Sequence, residues 1–353
     1  MPALPATVRA RPLPGVRLLT VAVGLLALIV ALSVYNLASG ETTATWSQVT
    51  RALFDAEAAR TQDPTLTLFI RDLRLPRILA AVIGGASLGV AGVILQDSLR
   101  NPLADPGLLG LLQVASFVVA VAAIYPEVLV GIPLNVLILA AQVVAGIIVL
   151  SVVGRIRGPV RIVLIGAALT AFFATMSTLV ILLAPFQRTT GITAFNRYVI
   201  GSLAAITWGD VTSMAPWLVV AVPLALLGGR ALNLLQLGDE MALAGGLNPQ
   251  RARIALLVLA MALTAPVVAN VGPVAFIALL APHVARGLLT SSEARRVMVV
   301  SSLLGAFFLL AADTLGRLLF FPFEVPAGVW TVLLIGPMAI WLVGRRRTAA
   351  VTA

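Results

Sequence analysis

The sequence predicts an all-α polytopic membrane protein with about ten transmembrane helices. Three observations carry that reading. The 353-residue chain is 60% apolar and only 11% charged, against about 25% charged in soluble domains. Apolar runs of roughly 17–25 residues, long enough to cross hydrocarbon, recur from end to end. The few ionisable residues gather at the ends of these runs. A soluble alternative would have to bury several helices that are apolar on every face in a single core.

Taken in order, the runs place spans at about 18–39, 75–97, 107–125, 131–153, 162–184, 211–228, 254–271, 273–289, 297–316 and 327–344. The first follows Arg9, Arg11 and Arg17 and imitates a signal peptide, but its apolar run reaches residue 39 and no convincing Ala-x-Ala site follows it, so it reads as an uncleaved span. The second is studded with Gly84, Gly85, Ala86, Gly89, Ala91 and Gly92. Small residues let helices approach closely in lipid, where the hydrophobic drive between helices is lost. That span opens on Arg74 and Arg77 and closes in the turn Asn101-Pro102-Leu103-Ala104-Asp105-Pro106. The eighth span is the weakest, cut short by Pro282, His283 and Arg286.

An even number of spans puts both termini on one side. The tails and the loops near 98–106, 154–161, 229–253 and 285–296 hold sixteen arginines and five acids; the opposite side holds eight and nine. The arginine bias assigns the first side to the cytoplasm. The expected organisation is a cytoplasmic tail (1–17), a ten-span domain (18–345) and a second cytoplasmic tail (346–353). Residues 40–73 form an exterior loop with Trp46 at the interface, and 229–253 a long cytoplasmic loop.

Composition also excludes chemistries. All 24 basic residues are Arg, so the GxxxxGK[ST] phosphate-binding loop has no Lys available. Any ATP hydrolysis must reside on another polypeptide. There is no Cys and one His, His283, which removes thiolate chemistry, HExxH centres and a His-based metal site. The net charge of +10 reads as membrane topology rather than nucleic-acid binding. Ion-coupled carriers hold an Asp, Glu or His within the membrane; here Asp313 and then His283 come nearest, both towards helix ends.

Within 229–253, Gly238 to Gly246 has the pattern of a short helix. Asp239 and Glu240 sit in its first turn, where carboxylates suit the helix dipole, and Gly245, Gly246 and Pro249 end it. Locally this is either an amphipathic connector or a docking element.

Four blocks then resemble, in order, the permease subunit of type II ABC importers, the iron-siderophore, haem and cobalamin permease family. They are Arg74-Leu75-Pro76-Arg77 through Gln96 to Asn101–Gly110; Leu237-Gly238-Asp239 to Ala242 and Gly246; Gly272–Phe276 through Pro282-His283-Val284-Ala285-Arg286; and Ala312-Asp313 through Arg317 to Glu324–Gly328. The resemblance covers roughly 18–344 and implies the type II importer permease fold in a bacterial cytoplasmic (inner) membrane.

It also implies roles. Arg74, Arg77 and Arg317 correspond to residues that dock an extracytoplasmic substrate-binding protein; Arg pairs bidentately with carboxylates, and the alternative is interfacial snorkelling. Leu237, Gly238, Asp239, Glu240, Ala242 and Gly246 correspond to the helix that couples to the ATPase. His283 and Arg286 are helix-end caps or part of the cytoplasmic interface. Gln96 and Asn101 are structural hydrogen bonders or passage residues, and Gly166 and Ala167, with Ala168 and Ala171, are packing or passage residues. Asp313, Arg317 and Glu324 form a local outer ion network.

The implied function is ATP-driven import of a ferric siderophore, or in second place haem or cobalamin. The implied partners are two ABC ATPase subunits that use ATP and Mg, a binding protein, a second permease copy or paralogue and the bilayer. No cofactor, metal or nucleic acid is expected on this chain. The rival is an ion-coupled secondary transporter working without an ATPase. Where the family has a small residue and Gly-Ala after Gly110, Leu112 and Val114-Ala115 stand here, and with Ala278 and Ile335 they add bulk, while Ala339 stands where an aromatic ring is expected.

Overall fold

The computed structural model describes residues 14–40, 43–107, 110–129, 131–153, 159–185, 195, 198–320 and 323–337. Its helices are α1 (Pro14–Ala38), α2 (Trp46–Phe54), α3 (Ala56–Gln62), α4 (Pro64–Ser98), α5 (Leu111–Ile124), α6 (Leu134–Val153) and α7 (Pro159–Leu182). They continue as α8 (Trp208–Leu227), α9 (Gly229–Gln236), α10 (Asp239–Ala244), α11 (Pro249–Val271), α12 (Ile277–Leu289), α13 (Ala294–Leu318) and α14 (Ala327–Trp330), the last running on as a π turn over Thr331–Ile335. The protein is an all-helical membrane protein. Six helices are long and apolar enough to cross a bilayer, in α1, α4, α7, α8, α11 and α13; apolar segments of α5, α6 and α12 are shorter. With the segment that begins at α14, this is compatible with ten spans. Residues 338–344 of the last expected span, Ala339 among them, lie outside the described residues, as do both tails apart from Pro14–Arg17.

The expected loop over 40–73 is helical instead. Thr45 and Gln48 form a capping box at the start of α2, Asp55 accepts from the Ala58 amide to cap α3, and Asp63 accepts from Leu66 to cap α4, with Pro64 in its first turn. The acids that looked like loop polarity are N-caps. α4 therefore begins eleven residues before the expected start of span two. It passes through Arg71, Asp72 and Arg74 as a π turn, Phe69–Arg74. Pro76 has no N–H to give and its ring crowds the preceding turn; a locally wider turn absorbs such a defect.

α4 is the axis of the fold. Its Ile78, Ala80, Ala81 and Leu88 belong to one apolar core, and its Val90, Val93, Ile94 and Leu95 to the other. A methyl group at Gly85 would collide with the Gly305 carbonyl, one at Gly89 with the Ser301 carbonyl, and one at Gly92 with the Ala278 carbonyl. The α4 backbone thus lies directly against those of α13 and α12. The Ser301 hydroxyl donates to the Gly89 carbonyl at 2.8 Å. Ala278, which adds bulk relative to the family pattern, is buried, and its backbone occupies the space a Gly92 side chain would take. Leu112, Val114 and Ala115 are buried in the core around α5.

Replacing Gly89 by Val forces a branched side chain into this seam, where overpacking costs about 1–3 kcal/mol. Thermal unfolding in detergent should show a lower Tm for Gly89→Val, whereas Gly24→Ala on α1, with nothing within 4 Å, should leave it at or above the original.

Candidate functional site: two polar clusters joined by one helix

At the N-terminal end of α4 three arginines converge. Arg74, only 5% exposed, donates from Nη1 to the Leu37 carbonyl at 2.7 Å. Arg317 of α13 donates from Nη2 to the Ser39 carbonyl at 2.8 Å. Both therefore serve the C-terminal end of α1, where carbonyls lack helical partners and the dipole favours cations. Gly40 completes the corner: a Cβ there would stand 2.8 Å from Arg74 Nη2 and 3.2 Å from Arg317 Nη2.

Arg77 works differently. Its Nε and Nη2 grip both oxygens of Asp313 on α13 at 2.9–3.1 Å, and its Nη1 reaches both oxygens of Glu324 at 3.0–3.1 Å. Asp313 is buried at 2% side-chain exposure, whereas Glu324 is 45% exposed. The network expected of Asp313, Arg317 and Glu324 has Arg77 as its cation instead, and Arg317 turns to the Ser39 carbonyl. Gly40, Arg74, Arg77, Arg317 and Glu324 line an open cleft of about 440 Å³, walled by Phe69 and Leu73.

The other end of α4 is equally polar. Asn101 N–H bonds to the Gln96 carbonyl at 3.0 Å and Arg100 N–H to the Asp97 carbonyl at 3.3 Å, which is the Schellman helix stop. Arg100 occupies the left-handed position, φ +50°. Asn101 then accepts from Leu103 N–H and Asp105 from Gly107 N–H; these side chains build the turn. Gln96 is buried, donating to the Ala278 and Leu279 carbonyls of α12 and accepting from Arg286 Nη1 at 2.6 Å. Arg286 also binds Asp97 at 2.7 Å. Gln96 and Arg286, expected in separate roles, are direct partners. His283 lies half-buried one turn before Arg286.

α10 docks beside this turn. Gly246, at φ +78°, ends it through Leu247 N–H to Ala242 O and Gly246 N–H to Leu243 O, both 2.9 Å. Ala242 is fully buried, while Leu237, Met241 and Leu243 are 55–65% exposed. Gly238 precedes the first turn, where Glu240 faces water. Asp239 accepts from Arg253 Nη2 at 2.8 Å and pairs with Arg100 at 3.1 Å. The hydrogen bond from Arg253 holds its carboxyl below the usual carboxylate range, against the opposing effect of burial and with further help from the charges of Arg253 and Arg100. Gly166 is buried on α7 against the start of α5, and Ala167 is on its open face. Neither touches the two clusters in the contacts described.

Residues 26–345 match the FecCD transport family. The chain belongs to that family. A relative in Escherichia coli K12, the Fe(3+) dicitrate transport system permease protein FecC, is 37% identical over 305 residues, covering 85% of this chain and 89% of the relative. The ferric enterobactin permease protein FepG of the same organism is 36% identical over 325 residues, covering 91% and 94%. A solved metal-chelate type ABC transporter, captured in an inward-facing conformation, shares the fold with TM-score 0.74 and 24% identity, covering 92% of this chain and 99% of that one.

This FecCD-family chain is thus a permease subunit of the type II ABC importer class and a multi-pass inner-membrane protein. ATP hydrolysis belongs to separate subunits. The chemistry of its two clusters is ionic and positional. Among the described residues no cluster of three or more His, Asp or Glu is placed to hold a metal. Sequence inspection missed Arg100 and Arg253, because nothing local marks an arginine as the partner of a carboxylate 139 or 14 residues away.

Arg77→Ala leaves Asp313 buried without its partner, and breaking a buried pair costs about 3–5 kcal/mol. Unfolding in detergent should show that loss, and Arg77→Ala combined with Asp313→Ala should recover most of it.

The depressed Asp239 carboxyl stabilises the docked helix above the unfolded value of about 3.9, and the contribution disappears as pH falls through the still lower folded value. Hydrogen-exchange protection of 238–246, corrected for intrinsic rates, should hold at neutral pH and drop in strong acid. Asp239→Asn should remove that pH dependence.

Proposed function

We propose that this chain is the membrane-spanning subunit of an ATP-driven importer of ferric siderophores. The observation that carries the proposal is the placement of two unlike polar clusters at opposite ends of α4, one around a cleft and one beneath a helix with exposed Leu237, Met241 and Leu243. Family membership and relatives named for ferric dicitrate and ferric enterobactin transport support iron-chelate cargo. Haem and cobalamin stand second.

In this reading the Arg74, Arg77 and Arg317 end faces outward and receives the binding protein. Arg77 supplies the exchangeable contact: a carboxylate of the binding protein replaces half-exposed Glu324 while Asp313 keeps its grip on Nε and Nη2. Arg74 and Arg317 hold the α1 corner in place and set the positive field of the cleft. At the cytoplasmic end, α10 with Leu237 and Gly246 seats an ATPase that supplies ATP and Mg, and His283 and Arg286 brace the neighbouring helix. Both termini are cytoplasmic. Two permease subunits, identical or paralogous, enclose the passage, with the open Ala167 face of α7 contributing to it. The small residues of α4 are committed to packing against α12 and α13.

The test is reconstitution of the chain with its ATPase and binding protein in proteoliposomes, reading uptake of radiolabelled ferric chelates. Accumulation should require all three proteins and ATP, and should survive a protonophore. Uptake that persists without the ATPase and collapses with the proton gradient would establish the secondary carrier instead.

A further inference from the structure

The cytoplasmic cluster contains a connection that the coupling helix alone does not explain. Asp239 is the only residue of α10 with an ionic contact among the described residues, and both of its partners are anchored at the end of α4. Arg253 uses its fork twice, Nη2 on Asp239 at 2.8 Å and Nε on the Ser98 carbonyl at 2.8 Å. Ser98 is the last residue of α4. Arg100 approaches the same carboxylate oxygen from the helix stop, at 3.1 Å. Its left-handed backbone is uncommon for a residue with a side chain. The next turn inward carries Gln96 and Asp97, both held by Arg286 of α12. A displacement of Asp239 therefore acts on α4 directly and on α12 one step later.

The properties of the helix fit such a role. α4 has 35 residues and at 1.5 Å per residue is about 52 Å long. It is packed backbone to backbone from Gly85 to Gly92, and its far end bears Arg74 and Arg77. By contrast α10 has six residues, with one buried face and an apolar outer edge. Its attachment is ionic and half exposed, at 45% for Asp239 and 46% for Arg100. Exposed ion pairs contribute roughly 0–1 kcal/mol to stability, so this cluster is poorly suited to holding the fold together. It is suited to guiding direction: a shift of one carboxylate gripped from two sides draws on both arginines at once.

We propose that Asp239, Arg253 and Arg100 are the positioning residues that convert movement of the coupling helix into movement of α4, while contributing little to ATPase binding. The proposal rests on the importer reading above and adds a division of labour within it: Leu237, Met241 and Leu243 hold the ATPase, and Asp239 transmits.

The experiment uses the reconstituted importer with three readouts: ATPase retained on purification, ATP hydrolysis, and ferric chelate accumulated per ATP hydrolysed. Arg253→Lys keeps a positive charge but cannot bridge Asp239 and Ser98 at once. Asp239→Asn removes the charge that both arginines grip. Each should retain the ATPase and hydrolyse ATP, with accumulation per ATP lowered about tenfold, inside the roughly 5–150-fold range of coupling between sites. Asp239→Glu should restore most of the ratio. Leu243→Asp should instead release the ATPase.

An unchanged ratio in both variants would overturn the proposal. So would loss of the ATPase from Asp239→Asn, which would put the carboxylate in the contact itself. Should Arg253→Lys aggregate, Asp239→Asn decides the matter, since it alters one exposed group. Failure of the importer reading looks different, because the unmodified chain would then retain no ATPase.

Discussion

Backbone-to-backbone contact between α4 and its neighbours is the constraint on which the rest of this structure depends. Within lipid, helices gain little by hiding apolar side chains from one another, and close packing with interhelical hydrogen bonds takes over. Gly85 and Gly89 set α4 against Gly305 and Ser301, and Gly92 sets it against Ala278. The Ser301 hydroxyl and the Gln96 amide then close polar bonds across the same seams. With no side chains between the backbones, α4 has no room to slide or roll independently. Its two ends are therefore held in fixed relation, which is what allows polar clusters so far apart to belong to one mechanism.

A second regularity concerns arginine. Six arginines among the described residues donate to carbonyls in the last turn of a helix or just beyond it: Arg74 and Arg317 to Leu37 and Ser39 at the end of α1, Arg71 to Ala52 of α2, Arg253 to Ser98 of α4, Arg295 to Leu226 of α8, and Arg17 to Leu288 of α12. Those carbonyls are orphans by geometry, and water cannot be counted on near hydrocarbon. A guanidinium supplies several donors with a fixed charge, so one side chain can satisfy a carbonyl and still address a carboxylate, as Arg253 does. These capping arginines fall three on each side of the expected topology, so the demand for carbonyl partners adds arginine to both sides without creating the bias between them.

How far the sequence was legible follows from which interactions are local. The spans show in apolar runs, and α10 shows in its glycines and its acidic first turn, because each signal lies within a few residues. The helices over 46–68 were hidden because seven to nine residues are too short for periodicity, and their polar caps Asp55 and Asp63 imitate loop composition. The start of α4 was hidden because Arg71, Asp72, Arg74 and Pro76 look like a boundary; tertiary contacts carry the helix through them. The pairing of Arg77 with Asp313 spans 236 residues, and that of Arg100 with Asp239 joins two separate loops. Arg77, Asp313 and Asp239 stood out in the sequence and Arg100 did not, and either pairing depends on the packing of α4, which no local pattern encodes.

The two clusters differ in a way that bears on mechanism. Arg77 and Asp313 are desolvated, so separating them would strand a buried charge, a penalty of several kcal/mol. Asp239 and its arginines are half in water, where rearrangement is cheap. A device that carries motion across a membrane needs this asymmetry. If the Arg77 end yielded as readily as the Asp239 end, a push on α10 would dissipate in loosened contacts at Arg77. If the Asp239 end were as rigid as the Arg77 end, α10 would have no freedom to follow a partner. Burial at one end and exposure at the other leave α4 and the helices packed on it as the part that must move as a body.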